Sequence, residues 1–293
     1  MVKRLVLPVV PAMAAIALVM AIVTFWGSGA ALADGGAALE WLSLSALAIA
    51  AGAFFCEYVD STLGMGYGTT LTPVLLLFGF RALDVVPAVL FSELFTGIVA
   101  GITHHNAGNV SLRPGAKHFR VSMVLALCSI GGTLAAVFIA VSLSKFFLNL
   151  YIGVLVLAMG VIILISRNRV RRFSWGRIVG LGVVASFNKG MSGGGYGPVV
   201  TGGQILSGVE GKSAVGITSF AEGLTCAVGV VTYCLVKKGA LPWHLAGPLA
   251  VGALLSVPLS AWSVKRISTR RLTLAIGVLT TALGLVTLYK VLA

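Results

Sequence analysis

The chain has 293 residues, of which 58% are hydrophobic and 10% charged, and its mean hydropathy is +1.03. A soluble domain of this length has too little interior to hide that much apolar surface, so the composition specifies an integral membrane protein. The formal charge of +13 does not indicate nucleic acid as a partner, because the basic residues sit in short loops between apolar runs, as they do in cytoplasmic loops of membrane proteins.

The first element is an apolar run from Leu5 to Trp26. Lys3 and Arg4 precede it, and Ala31-Leu32-Ala33 comes before Asp34, which imitates a cleavable signal peptide. The run is longer than a signal core and long enough to span. Residues 1–40 are therefore read as an uncleaved transmembrane helix with an outside loop.

A first unit follows over residues 41–166. It has an apolar segment from Trp41 to Tyr58, a Gly-rich break, a short segment from Thr69 to Phe80, and spans at Asp84–Thr103, Phe119–Val141 and Phe147–Ile165. An Arg-rich connector, 167–176, leads to a second unit over 177–293. That unit has Arg177–Phe187, a Gly-rich break, Pro198–Leu206, and then Lys212–Val236, His244–Val264 and Leu272–Tyr289. These apolar runs are continuous, whereas strands of an outer-membrane barrel would alternate apolar and polar residues. The predicted fold is all-α. The pieces flanking the second break look about ten residues long, too short to cross ~30 Å of hydrocarbon at 1.5 Å per residue. Each break thus reads as a hairpin tip that lines a cavity, the one setting in which irregular backbone is tolerated at membrane depth.

The two units repeat. A shift of 129 residues lays Gly64-Met65-Gly66-Tyr67-Gly68 on Gly193-Gly194-Gly195-Tyr196-Gly197, and without a gap Glu93 on Glu222 and Thr96 on Thr225. Gly-interrupted segments at matching positions of two halves point to the binding site of a secondary transporter. A hairpin returns to its own side, and three spans then follow, so the second unit is inverted relative to the first. With the N-terminus inside, the inner loops hold Arg113, Lys117, Arg120, the arginines of 167–177, Lys212, Lys265, Arg266, Arg270 and Arg271. The outer segments hold only Arg81, Lys145, Lys237, Lys238 and Lys290, beside Asp34 and Glu40. This asymmetry predicts a multi-pass protein of the cytoplasmic (inner) membrane with a cytoplasmic N-terminus.

The two tips are the first candidate site. Gly64, Gly66 and Gly68, and Gly193, Gly195 and Gly197, let backbone N–H groups converge, and a helix starting there adds its positive dipole end. Tyr67, Thr69, Thr70, Ser192 and Tyr196 supply hydroxyls. Lys189, beside the second tip, is a lysine inside an apolar stretch and needs a partner or an anionic ligand. Together these residues predict a cradle for a small inorganic or organic anion, although glycines at such positions also serve close helix packing. Removing Lys189 should then weaken substrate affinity more than folding.

The second candidate is the acidic set. Glu93 and Glu222 each lie three residues before a threonine on the same helical face. Intramembrane carboxylates suit a proton relay, and a structural hydrogen bond at a hairpin tip is the alternative. Glu57 and Asp60 lie near the first tip, and their counterparts in the second unit are Ser186 and Lys189. Asp60 is expected to pair with Lys189 when no substrate is bound. Glu93, taken as the glutamate farther from Lys189, is the expected proton carrier. His104 reads as a solvated interfacial histidine, and Cys56, Cys128, Cys226 and Cys234 as buried free thiols.

A competing pattern is Gly190-Met191-Ser192-Gly193 with His244 and His105-x-x-x-Asn109, which is similar to the motif set of rhomboid intramembrane serine proteases. It would make Ser192 a nucleophile and His244 its base. The duplication argues against it, since Ser192 maps to Leu63. No phosphate-binding loop of the GxxxxGK[ST] type and no metal-ligand spacing is present, so no cofactor is expected. A binding-free anion channel suits two inverted units with broken tips less well than alternating access does. A homodimer is compatible with the sequence.

Two copies of an apolar–GxGYG–apolar unit, each followed by a helix carrying F-x-E-x-x-T, resemble the TauE/SafE family of sulfite exporters and related anion transporters. The resemblance spans about residues 41–290. It implies movement of sulfite or another sulfur-containing anion, such as sulfoacetate, across the cytoplasmic membrane. The chain departs from the pattern at Met65, which stands at a glycine-rich position, and in its extra N-terminal helix.

Overall fold

A computed structural model describes residues 44–165, 173–237, 241–263 and 269–293. The helix expected at Leu5–Trp26 and most of the Arg-rich connector lie outside these residues. The described residues form ten α-helices and no strand. In chain order they are α1 (Leu44–Leu63), α2 (Tyr67–Leu77), α3 (Ala82–Asn106), α4 (Lys117–Ser142) and α5 (Lys145–Ile165). After the connector come α6 (Trp175–Ser192), α7 (Tyr196–Leu206), α8 (Gly211–Lys237), α9 (Trp243–Ser263) and α10 (Thr269–Leu292). Six of them, α1, α3, α4, α5, α8 and α9, are long and apolar enough to cross a membrane.

Helix ends follow from local chemistry. Between α1 and α2 the chain turns at Gly64 (φ 69°) and Gly66 (φ 136°), and between α6 and α7 at Gly193 (φ 72°) and Gly195 (φ 78°). Side chains rarely tolerate these left-handed values, which glycine adopts freely. No proline and no positive-φ glycine interrupts the residues just before either turn. As a result α1 continues to Leu63 rather than stopping at Tyr58, and α6 to Ser192 rather than Phe187. This corrects the sequence expectation of two short arms in the second unit. The leading arm α6 has 18 residues, and only the trailing arms α2 and α7, with 11 each, are short.

Helices α3 and α8 are the most buried spans and cross at the centre. They meet at Gly97 and Gly223, where a methyl on Gly97 would lie 2.6 Å from the Ser219 carbonyl and 2.8 Å from Gly223 Cα. Helix α9 packs on α1 and α3, α4 packs on α6 and α8, and α5 packs on α10. Exchanging the first five helices for the last five maps this set of pairings onto itself. The outer helices carry exposed apolar side chains such as Leu127, Ile130 and Phe138 on α4, as expected where hydrocarbon is the solvent.

At one end of the bundle the Lys117 ammonium sits 3.9 Å from the centre of the Phe173 ring, which joins the start of α4 to the start of α6. Elsewhere Lys237 donates to the Leu83 carbonyl at 2.8 Å and pairs with Asp84 at 3.1 Å. Lys290 donates to the Leu77 carbonyl at 2.7 Å. These lysines tie the C-terminal ends of α8 and α10 to the start of α3 and the end of α2.

Candidate functional site

The two glycine turns touch each other backbone to backbone. A methyl on Gly68 would overlap the Gly193 carbonyl, one on Gly194 would lie 2.7 Å from Gly68 C and Thr69 N, and one on Gly197 would overlap Gly64. The turns therefore leave no gap for an anion between them in this conformation. Tyr67 and Tyr196 are fully buried on either side of the contact.

The turns differ in how their polar groups are satisfied. The Tyr67 N–H, one of the unpaired donors at the start of α2, donates to Asp60 Oδ1 at 3.2 Å. The positive end of α2 thus already holds a carboxylate. At the second turn Ser192 donates to the Asn188 carbonyl at 2.8 Å and accepts from the Gly194 N–H at 3.1 Å. Lys189 occupies the position that Asp60 has in the first unit, so the start of α7 has no matching carboxylate. Thr201 donates to the Gly64 carbonyl at 2.8 Å, whereas its repeat counterpart Thr72 is buried with no partner for its hydroxyl. Tyr67 shares a 2.8 Å hydrogen bond with Ser92, and the Tyr196 hydroxyl faces Thr225.

Behind the turns lies a buried ion cluster. Lys189, near the C-terminal end of α6, donates to Glu222 Oε1 of α8 at 2.6 Å and to Glu93 Oε2 of α3. Its side chain is 1% exposed. An ammonium in such a place is stable only with counter-charges and good hydrogen bonds. Asp60 joins them, with carboxylate oxygens of Asp60, Glu93 and Glu222 all within 4.8 Å of one another. Glu57, nearly one helical turn before Asp60, accepts from Ser61 at 2.6 Å through Oε1 and faces the Thr96 hydroxyl. Glu57, Asp60, Glu93, Thr96, Gly97, Ser219 and Glu222 line a small cavity. The four carboxylates are the acidic set that the sequence singled out; they come from α1, α3 and α8 and meet Gly97 and Ser219 only where these helices pack.

Three sequence expectations change at this site. Asp60 does not take the Lys189 ammonium, because it caps α2 while Glu93 and Glu222 reach the lysine from facing helices. Glu93 is not the glutamate remote from Lys189, since both glutamates bond it. His104 is fully buried rather than solvated. Its Nε2–H donates to the Ser61 carbonyl at 2.8 Å and its Nδ1 accepts from Asn109 at 3.1 Å. The C-terminal carbonyls of α1 need donors from outside the helix, and this histidine supplies one.

The protease pattern does not assemble. The Ser192 hydroxyl is buried and used at the end of its own helix, His244 is exposed, and Asn109 serves His104. Thr225 bonds the Ala221 carbonyl at 2.9 Å rather than Glu222, and Thr69 the Gly66 carbonyl at 3.3 Å. All four cysteines are free; Cys226 is buried, and Cys56, Cys128 and Cys234 are half-buried. Residues that sequence reasoning missed include Thr72 and Thr201, although the 129-residue shift relates them. It also missed Ser219, and Asn188, which accepts a 2.8 Å hydrogen bond from Tyr151 beside the second turn.

Residues 48–287 match the family described as sulfite exporter TauE/SafE. The chain is also similar to a Bacillus subtilis (strain 168) protein named probable membrane transporter protein YtnM, with 27% identity over 235 residues covering 75% of each chain. No solved structure matches it.

Proposed function

Because the chain belongs to the sulfite exporter TauE/SafE family, we propose that it is a proton-coupled secondary transporter of a small sulfur-containing anion, sulfite or an organosulfonate such as sulfoacetate. It works by alternating access in the cytoplasmic membrane, with two inverted units and a cytoplasmic N-terminus. The observation that carries this reading is the buried Lys189, held by Glu93 and Glu222 directly behind the point where the two glycine turns meet.

The contact between the turns closes the path, so the anion binds when they part. The start of α2 is already occupied by Asp60, which favours the start of α7 for the anion. There the substrate oxygens meet backbone N–H groups, Ser192 and the Tyr196 hydroxyl. An anion arriving near Lys189 competes with the glutamates for the ammonium. The carboxylate left without its partner takes up a proton, since an isolated buried charge is costly. Anion and proton movement are linked in this way through one lysine.

The unequal hydrogen bonds of Thr201 and Thr72 support alternating access. In a two-unit transporter the opposite state exchanges the roles of the two halves. Thr72 would then bond Gly193, and Thr201 would release Gly64.

The test is flux in proteoliposomes with sulfite, sulfoacetate, taurine and thiosulfate, with and without a pH gradient. Glu93→Gln and Glu222→Gln are measured alongside, together with substrate counterflow, which needs no net proton movement. Loss of gradient-driven flux with counterflow retained is the expected outcome for at least one of them. A wild-type response to the gradient in both variants would end the proton-coupling proposal.

A further inference from the structure

We propose that Tyr233 and His104 are matched positioning residues, one in each unit, that pin the ends of the two leading arms, and that Tyr233 thereby places the Lys189 ammonium for the anion. The placing of Lys189 rests on the transport reading. The pinning of the arms does not.

Both leading arms end in the same backbone pattern. The Gly64 N–H donates to the Asp60 carbonyl, and the Gly193 N–H donates to the Lys189 carbonyl. The carbonyls that follow are those of Ser61 and Gly190. In a continuing helix the Gly190 carbonyl would take the Gly194 N–H, but the chain turns at the glycines and that N–H goes to Ser192. Such carbonyls at a buried helix end need donors from elsewhere.

A side chain from the central helix of the same unit supplies each donor. His104 Nε2–H of α3 donates to the Ser61 carbonyl at 2.8 Å, and the Tyr233 hydroxyl of α8 donates to the Gly190 carbonyl at 2.8 Å. The 129-residue shift lays Ser61 on Gly190 and His104 on Tyr233. The residue types differ at both positions, yet the bond is the same. Both donors are buried, and burying an imidazole or a phenol is tolerated only where its polar atoms are paired. Both hairpins thus keep one particular bond, made by whichever donor their own unit carries.

The residue before each pinned carbonyl is charged and belongs to the site. It is Asp60 in the first unit and Lys189 in the second. Tyr233 follows Glu222 by eleven residues, about three turns along one face of α8. Helix α8 therefore holds the end of α6 at two points, with Glu222 on the Lys189 ammonium and Tyr233 on the next carbonyl. Other bonds tie α6 to other helices. Thr133 of α4 donates to the Ser186 carbonyl at 3.2 Å, and Tyr151 of α5 donates to Asn188 Oδ1 at 2.8 Å. The Tyr233 bond instead links the arm to the helix that carries Glu222.

This link matters when the anion draws on the ammonium. Lys189 then loosens its hold on a glutamate, and Tyr233 still keeps the arm on α8. The lysine meets the substrate from a fixed backbone, so less ordering is required on binding. His104 does the same for Asp60, whose carboxylate accepts from the Tyr67 N–H at the start of α2.

The experiment compares Tyr233→Phe with Thr232→Val in the full-length protein. The first removes one hydroxyl and keeps the ring. The second removes a neighbouring hydroxyl that bonds the Val228 carbonyl of its own helix. Hydrogen–deuterium exchange in detergent reads the arm. Amides of residues 190–197 should exchange several-fold faster in Tyr233→Phe and at the wild-type rate in Thr232→Val. His104→Phe should speed exchange over residues 61–67, and His104→Gln, which keeps an N–H donor of similar reach, should restore protection. Uptake of sulfite or sulfoacetate into proteoliposomes reads Lys189. The half-saturating concentration should rise roughly fivefold in Tyr233→Phe, the worth of about one hydrogen bond, and stay at the wild-type value in Thr232→Val. Wild-type exchange in Tyr233→Phe would overturn the pin, as would equal acceleration in Thr232→Val. Faster exchange with an unchanged half-saturating concentration would overturn the placing of Lys189. A wild type that carries no sulfur anion would end the transport reading and the placing of Lys189 with it, while exchange still decides the pin.

Discussion

Lys189 Nζ lies 2.6 Å from Glu222 Oε1 in the middle of the helix bundle, with Glu93 bonded on its other side. The lysine comes from the leading arm of the second glycine turn, and the two glutamates come from repeat-related helices. One ammonium therefore pins the second turn to both central helices. Any movement that parts the turns has to strain or break this triad.

Replacing Lys189 by methionine leaves two carboxylates buried without their ammonium. Breaking a buried pair from one side costs about 3–5 kcal/mol, so Lys189→Met should unfold well below the wild type. Adding Glu93→Gln and Glu222→Gln should restore much of that loss, because the uncompensated charges go with it. Thermal unfolding in detergent reads both effects. Wild-type stability in Lys189→Met would mean that the lysine contributes little to folding, and its role would then lie in substrate affinity.

Gly68→Ala places a methyl against the Gly193 carbonyl, where backbone meets backbone and neither side can yield. Overpacking of this kind costs about 1–3 kcal/mol, and flux should fall with it. Gly202, on α7, has open space where its Cβ would point. Gly202→Ala should be neutral or up to about 1 kcal/mol more stable, since alanine favours helix. Equal effects of the two substitutions on stability and flux would show that the turn contact is not what constrains Gly68.

Thr201→Val removes the donor from the Gly64 carbonyl and should cost about 1–3 kcal/mol. Thr72→Val removes a hydroxyl that has no partner here, so its effect on stability should stay within about 0.5 kcal/mol. If the opposite transport state engages Thr72, that variant should nevertheless slow flux. Full transport by Thr72→Val would remove the exchange of roles between the two threonines.

Lys117 over Phe173 brings the loop before α4 and the start of α6 to the same end of the bundle. Single cysteines at Arg113 and Ser174, in a background lacking the native cysteines, should react with an impermeant maleimide only from the cytoplasmic side. A cysteine at Arg81 should react only from the outside. Labelling of Arg113 and Ser174 variants from opposite sides would refute the inverted topology.

The sequence by itself determined the membrane class, the helical spans, the 129-residue repeat and the positions of both glycine turns. It also carried the family, since the GxGYG segments and F-x-E-x-x-T helices that resemble TauE/SafE lie inside the matched region. These are local properties: hydropathy acts over one helix length, and a positive-φ glycine acts at one residue. The tertiary structure alone decided that Lys189 bonds both glutamates and that Asp60 caps α2. It also decided that His104 is buried on Ser61 and that Thr72 lacks the bond its counterpart makes. Each of these depends on how one helix is rotated and crossed against another, and polar partners separated by 33 to 96 residues leave no periodic trace in the chain. The burial that makes such contacts strong arises only when the helices pack, because a side chain is desolvated by its neighbours in space and not by its neighbours in sequence.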